Sequence, residues 1–120
     1  MSKSRHFEPK GVIPACLLPF KEDLSIDERS FRKHLRHVAA VPGLSALTVN
    51  AHSTEVSSCS FEEQQAVLEI TMDEVGDRIP VVNGIYADGS LEAARLARMA
   101  EQGGASCLLV FPPKGLTLGA

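Results

Sequence analysis

Short apolar runs alternate along the chain with stretches in which apolar residues recur at helical spacing. Four of these runs are continuous enough to be strands covered on both faces. They follow one another at regular intervals and read GVIPACLLPF (11–20), LSALTVN (44–50), IPVVNGI (79–85) and SCLLVF (106–111). Because Pro14 has no amide N–H to donate, we expect the first strand to pair imperfectly.

Each interval between two runs predicts one helix. Ser, Asp and the S-x-x-E capping box favour the start of a helix, whereas Pro and Gly favour its end. On these signals the predicted helices run from Ser25 or Asp27 to Val41, from Ser60 to Gly76-Asp77, and from a Ser90 cap to Gly103-Gly104. The third helix carries a face of leucines and small residues suited to packing closely on a sheet, namely Leu91, Ala94, Leu96, Ala97 and Ala100.

The resulting order, β-α-β-α-β-α-β, is typical of an α/β fold with a parallel sheet and right-handed crossovers. Regular strand spacing favours a (β/α) barrel over a doubly wound sheet, and no GxGxxG motif follows the first strand. Four strands cannot close an eight-stranded barrel, so an open, flavodoxin-like ligand-binding domain stays an alternative. We expect residues 1–10 to form a flexible arm and residues 11–120 a domain of four strands and three helices.

The composition limits the class of protein. At 120 residues, with 44% hydrophobic and 22% charged residues, the chain has the size and make-up of one globular domain. A net charge of −3 argues against nucleic-acid binding. No apolar run approaches the roughly 18 residues that a membrane span needs. The polar N-terminus lacks the apolar centre of a secretory signal, so we expect a cytoplasmic protein without nucleic-acid or membrane partners.

Three cysteines and two neighbouring histidines could suggest a disulfide or a metal site. Cys16, Cys59 and Cys107 are odd in number and far apart, so we expect reduced and mostly buried thiols. His34 and His37 are three residues apart on the first predicted helix, but they lie among basic residues, as on a solvated flank. We therefore predict neither a metal site nor a cofactor.

Polar side chains follow the second predicted strand with no helix between. Asn50, His52, Ser53, Thr54 and Glu55 offer hydrogen-bond donors and acceptors in one loop. Binding groups are commonly presented on loops held by a rigid scaffold, so we expect any chemistry to gather here. The simpler alternative is that Ser53 and Thr54 only bond local backbone groups of a turn.

Five segments have an order and spacing that carry a resemblance to a known family. They are GVIPACLLPF, SID at the start of the first helix, TVNAHSTE, RIPVVNGI and FPP. Together they resemble the dihydrodipicolinate synthase / N-acetylneuraminate lyase family over nearly the whole chain from about residue 11. The resemblance implies the N-terminal half of a (β/α)8 TIM barrel. It also implies an aldolase-type lyase, in which a lysine forms a Schiff base with pyruvate or a related 2-oxo acid.

The family's signature loop, Gly-Thr-Thr-Gly-Glu, falls without gaps on residues 51–55. Ser53 replaces the second threonine, whose hydroxyl and backbone N–H hold the oxo-acid carboxylate in the family. His52 replaces the first threonine, a proton relay in the family, which makes His52 a possible relay or a wall of the pocket. Thr54 replaces a glycine, so we expect a different turn or a strained Thr54. The resemblance thus implies that His52, Ser53 and Thr54 bind the substrate.

Two catalytic residues of the family are expected outside this chain. In the family the Schiff-base lysine lies on the sixth strand and the catalytic tyrosine beyond the fourth, whereas this sequence ends at Ala120. Lys114 falls at a loop position and is expected to be solvated, and Tyr86 is expected to line the mouth of the site. We therefore expect the chain alone to be inactive. A non-catalytic truncated half-barrel or interaction module stays an alternative.

An incomplete barrel also predicts self-association. The first and fourth predicted strands would lack neighbours, which leaves rows of unpaired backbone groups at both edges. The inward apolar side chains would lack the other half of the core, namely Val12, Leu17, Leu47, Val49, Val81 and Leu109. We expect a homo-oligomer or an aggregation-prone chain.

Overall fold

The computed structural model describes residues 7–113, in which three helices alternate with three parallel strands. In chain order these are α1 (Glu28–Ala39), β1 (Leu47–Val49), α2 (Phe61–Val75), β2 (Val81–Ile85), α3 (Ser90–Gln102) and β3 (Cys107–Val110). The sheet has the order β1-β2-β3, with Val49 opposite Asn83 and Asn83 opposite Leu108. The predicted α/β fold with a parallel sheet is therefore confirmed.

The segment predicted as the first strand is not a regular strand. Residues 11–20 run parallel to β1 and the residues before it, and isolated bridges join them at Val12 with Leu44 and at Ala15 with Thr48. The Thr48 N–H donates to the carbonyl oxygen of Pro14 at 2.8 Å. The Cys16 N–H donates in return to the Thr48 carbonyl at 2.8 Å, but Pro14 and Pro19 have no N–H, so a continuous ladder does not form. The prediction of four strands is wrong for residues 7–113, where an extended segment takes the place of the first.

The ends of α1 and α2 agree closely with their sequence signals. Asp27 is the N-cap of α1, and its carboxylate accepts the Ser30 N–H at 3.1 Å. This bond, together with one from the Ser30 hydroxyl at 2.8 Å, lowers the pKa of Asp27. The capping box of α2 is confirmed, because the Ser60 hydroxyl accepts the Glu63 N–H at 3.1 Å while the Ser60 N–H donates to the Glu63 carboxylate at 2.9 Å. Gly76 is the C-cap of α2.

The start and the buried face of α3 differ from the prediction. Gly89, not Ser90, is the N-cap, and no side chain caps this helix. Leu91, in the first turn of the helix, is 89% exposed, and Ala94 is also exposed. The buried residues of α3 are Leu96, Met99 and Ala100.

The main core lies between the sheet and the helices. Leu47, Val49 and Val81 are fully buried there with Phe31 and Leu35 of α1, so the prediction that these three strand residues would lack cover is wrong. Their side chains point to the side of the sheet that the helices cover. The prediction is right for three others that are exposed, namely Val12, Leu17 and Leu109.

None of the helices within residues 7–113 combines the length and the apolar character that a membrane span requires.

Candidate functional site

Three polar or aromatic segments meet where the parallel strands end. Residues 51–59 follow β1, Tyr86 follows β2 and Phe111 follows β3. Because parallel strands all end at the same edge of a sheet, these segments share one end of the domain. The first of them folds into two short 3-10 helices, His52–Thr54 and Val56–Ser58.

The backbone of residues 50–55 forms a tight turn held by its own hydrogen bonds. Thr54 N–H donates to the Ala51 carbonyl at 3.0 Å, and Glu55 N–H donates to the His52 carbonyl at 3.0 Å. The left-handed residues are Asn50, with φ of 56°, and Glu55, with φ of 60°. Thr54 is not among them. The expectation of a strained Thr54 is therefore wrong.

Ser53 and Thr54 have different surroundings although they are neighbours. Ser53 is exposed, and its hydroxyl bonds to no described residue. Thr54 is buried, and its hydroxyl donates to the backbone carbonyl of Cys16 at 2.8 Å. Of the two hydroxyls predicted to bind substrate, the one on Ser53 is open to a ligand, whereas the one on Thr54 anchors the loop to the extended segment.

His52 belongs to a cluster of three aromatic rings. Its imidazole stacks on Phe111, with ring centroids 4.2 Å apart and planes 20° apart. The ring of Tyr86 meets the same imidazole edge-on, at 5.4 Å and 84°. Both arrangements are favourable for aromatic pairs. Tyr86 thus lies beside the loop, and it contacts His52 through its ring rather than through a hydrogen bond.

A buried amide network lies beneath this loop, and the hydrophobic pattern of the sequence did not predict it. Asn50 Nδ2 donates to Asn83 Oδ1 at 2.8 Å and to the backbone carbonyl of Gln64 at 2.9 Å. Within residues 7–113, Gln64 Oε1 is buried without a hydrogen-bond partner. One signal was available, because Asn83 interrupts the apolar run VVNGI, and asparagine is rarely fully buried without a specific partner.

Cys16, Cys59 and His34 have the surroundings of structural residues. Burial raises the pKa of Cys16 to about 12 and, with nearby glutamates as lesser causes, that of Cys59 to about 11. His34 is half-buried, and its Nε2 accepts the Leu17 N–H at 2.9 Å, so its prediction as a solvated residue is wrong. His37 is exposed, as expected. In the part of the chain that the structure describes, no group of three His, Cys, Asp or Glu residues could hold a metal ion. Lys114 lies outside the described residues.

Comparison with known proteins gives one consistent family. Residues 8–114 match the dihydrodipicolinate synthetase family. The chain is 33% identical to 4-hydroxy-tetrahydrodipicolinate synthase of Methanospirillum hungatei over 106 residues, which is 87% of this chain and 36% of that protein. It is 34% identical to the synthase of Agrobacterium fabrum over 104 residues, covering 87% of this chain and 35% of the relative. The chain thus spans about a third of the length of these curated relatives.

A solved structure extends the likeness to the fold. The crystal structure of N-acetylneuraminate lyase from Fusobacterium nucleatum superposes with a TM-score of 0.79 at 29% identity. The superposition covers 87% of this chain and 36% of that one. Sequence and structure therefore point to the same group of proteins.

Proposed function

The chain belongs to the dihydrodipicolinate synthetase family, and on that premise we propose that residues 51–55 bind the carboxylate of a small 2-oxo acid such as pyruvate. The observation that carries the proposal is the Ser53 hydroxyl, which is exposed and unbonded within residues 7–113, on a turn between the buried residues Ala51 and Thr54. A neutral hydroxyl with turn N–H groups can hold an anion without burying a counter-charge.

The location of the loop supports the same assignment. It follows β1 at the carboxyl-terminal end of a parallel sheet. In (β/α)8 barrels this is the end that carries the active site, whereas the opposite end mainly serves stability. We place the chain in such a barrel as its N-terminal part, in a cytoplasmic enzyme.

The reaction that we assign to the whole enzyme is aldol-type formation or cleavage of a carbon–carbon bond. The oxo acid is held as a Schiff base on a lysine that residues 7–113 do not supply. In this proposal, residues 51–55 contribute binding and orientation, and no bond is made or broken by them. Positioning of this kind is a substantial part of catalysis, because it replaces a chance encounter with a fixed geometry.

We assign His52 to the wall of the pocket rather than to proton relay. A relay requires a hydrogen-bonded partner within about 3.2 Å, directly or through one water. Among residues 7–113 the imidazole has no hydrogen-bond partner, and it packs face-on against Phe111 and is met edge-on by Tyr86. These contacts fix its ring plane and give the side of the loop an aromatic surface.

An NMR titration with pyruvate tests the proposal. We expect chemical-shift changes at residues 51–55, and an affinity at least about tenfold weaker in Ser53→Ala, the effect of losing one hydrogen bond to a charged group. Ser53→Thr keeps the hydroxyl and should bind within about threefold of the unchanged chain. Ser57→Ala, an exposed serine in the next turn, is the matched control and should change nothing. Equal affinity in Ser53→Ala would remove Ser53 from the site.

Borohydride trapping separates binding from bond making. Incubation with pyruvate and borohydride, followed by intact-mass analysis, should leave the 12.9 kDa chain without a covalent adduct. A stoichiometric adduct, above all one at Lys114, would contradict the assignment of the Schiff-base lysine to a residue outside this chain.

A further inference from the structure

The amide network beneath the loop has only one consistent set of donors and acceptors. The backbone carbonyl of Gln64 can only accept, so the Asn50 atom that faces it at 2.9 Å is the donor Nδ2. The same Nδ2 faces Asn83 at 2.8 Å, so the Asn83 atom in this contact is Oδ1. Asn83 Nδ2 then donates to the carbonyl of Gly84 at 3.1 Å. Both asparagines are at most 1% exposed. The network thus ties the end of β1 to β2 and to the start of α2.

The backbone at Asn50 is constrained as well as its side chain. Asn50 has the left-handed φ of 56°, which asparagine tolerates better than most residues. A Cβ atom at Gly84 would clash with the Asn50 carbonyl oxygen. The two strands therefore meet here only because residue 84 has no side chain. The sheet and the amide pair together define the direction in which the chain leaves β1.

That direction sets the position of the turn that follows. The carbonyl of Ala51, the next residue, accepts from Thr54 N–H at 3.0 Å and from Val56 N–H at 3.3 Å. Ser53 lies inside this hydrogen-bonded turn. We infer that Asn50 and Asn83 are positioning residues, whose amide pair holds residues 51–56 in the one arrangement that presents Ser53. The effect on ligand binding rests on the proposed function, whereas the effect on the loop does not.

Two substitutions remove the pair in different ways. Asn83→Leu removes the acceptor for Asn50 and keeps a side chain of similar size. Asn50→Gly removes the amide and keeps a residue that adopts positive φ easily. It therefore provides a second test of the pair if Asn83→Leu does not fold. Thr71→Val is the matched control, since it removes a buried bond inside α2, from the Thr71 hydroxyl to the Val67 carbonyl at 2.7 Å.

Amide hydrogen exchange measured without ligand is the first test. The probes are the N–H groups of Thr54, Glu55 and Val56 in the loop, and the reference is the N–H of Ala105, which donates to the Ala100 carbonyl. In both asparagine variants, the factor by which the exchange rate rises should be at least tenfold larger for the loop probes than for the reference. Thr71→Val should show no such excess in the loop. A merely structural role would accelerate loop and reference equally, and that result overturns the inference.

Pyruvate affinity is the second test. Either asparagine variant should bind about tenfold more weakly than the unchanged chain, whereas Thr71→Val should bind normally at a temperature where all are folded. If the unchanged chain binds no pyruvate, the proposed function fails and the exchange result alone decides the role of the pair. If the loop loosens while affinity stays the same, the pair does not position the site, and the inference is wrong.

Discussion

The hydroxyl of Thr54 donates a hydrogen bond to the backbone carbonyl of Cys16 at 2.8 Å, across 38 residues of sequence. Both residues are buried, so this bond joins the loop after β1 to the extended segment beside it. The glycine that the family motif has at this position offers no hydroxyl. Thr54 is thus a departure from the motif with a structural use in this chain.

Removing that hydroxyl should lower stability. Thr54→Val keeps the shape of the side chain but leaves the Cys16 carbonyl buried without this donor, which should cost about 1–3 kcal/mol of unfolding free energy. Thr54→Ser retains the donor and should cost less than Thr54→Val. Urea unfolding followed by circular dichroism measures both. Equal stability of Thr54→Val and the unchanged chain would show that the bond contributes nothing.

Local signals in the sequence predicted the helices better than the strands. The capping box of Ser60 and Glu63 is complete within four residues, so no tertiary contact is needed to recognise it. The start of α3 was missed by one residue because Gly89 caps it without a side chain. The first strand failed for a different reason. Its apolar run predicts burial correctly at Cys16 and Leu18, but ladder pairing depends on backbone donors that Pro14 and Pro19 lack.

The histidine that accepts a backbone hydrogen bond should make stability depend on pH. Burial, and secondly the charge of His37, lower the pKa of His34 below its ordinary value of 6.5. Only neutral His34 can accept the Leu17 N–H through Nε2. The unfolded chain therefore takes up a proton at higher pH than the folded one. This contribution is complete above about pH 6.5 and is lost as pH falls through the folded pKa.

Urea midpoints at a series of pH values from 7.5 downward check this prediction. The midpoint of the unchanged chain should fall on acidification more than that of His34→Gln, whose side-chain oxygen can accept the same N–H without titrating. His37→Gln removes only the secondary cause and should keep most of the pH dependence. Identical pH profiles for the unchanged chain and His34→Gln would rule out His34 as the titrating group.

Only part of the candidate site could be predicted from the order of residues in the sequence. The order of residues along the loop pointed to a polar segment from Asn50 to Glu55, because the loop follows a strand directly, and the family resemblance then selected His52, Ser53 and Thr54 within it. It could not tell that Thr54 is buried and Ser53 exposed, since that depends on a contact with Cys16, far away in the sequence. The pairing of Asn50 with Asn83 was equally hidden, because it requires the register between β1 and β2.

The free side of the sheet leads to the final prediction. Within residues 7–113, β3 pairs with β2 alone, and its other edge has no strand beside it. Leu108, Leu109 and Val110 of this strand are all exposed, Val110 by 66%. Exposed apolar edge strands favour pairing with another chain, and each Å² of apolar surface covered is worth about 25 cal/mol. We therefore expect the chain to self-associate through β3.

Light scattering coupled to gel filtration measures the molar mass of the eluting species, which is compared with the 12.9 kDa of a single chain. The unchanged chain should elute as a dimer or larger species at micromolar concentration. Val110→Lys places a charge on the exposed edge and should shift the population toward monomer. Leu91→Lys, at the 89% exposed residue of α3, introduces the same charge away from the edge and should leave the assembly intact. A monomer that binds no hydrophobic dye, or an equal response to both lysines, would show that the β3 edge does not drive association.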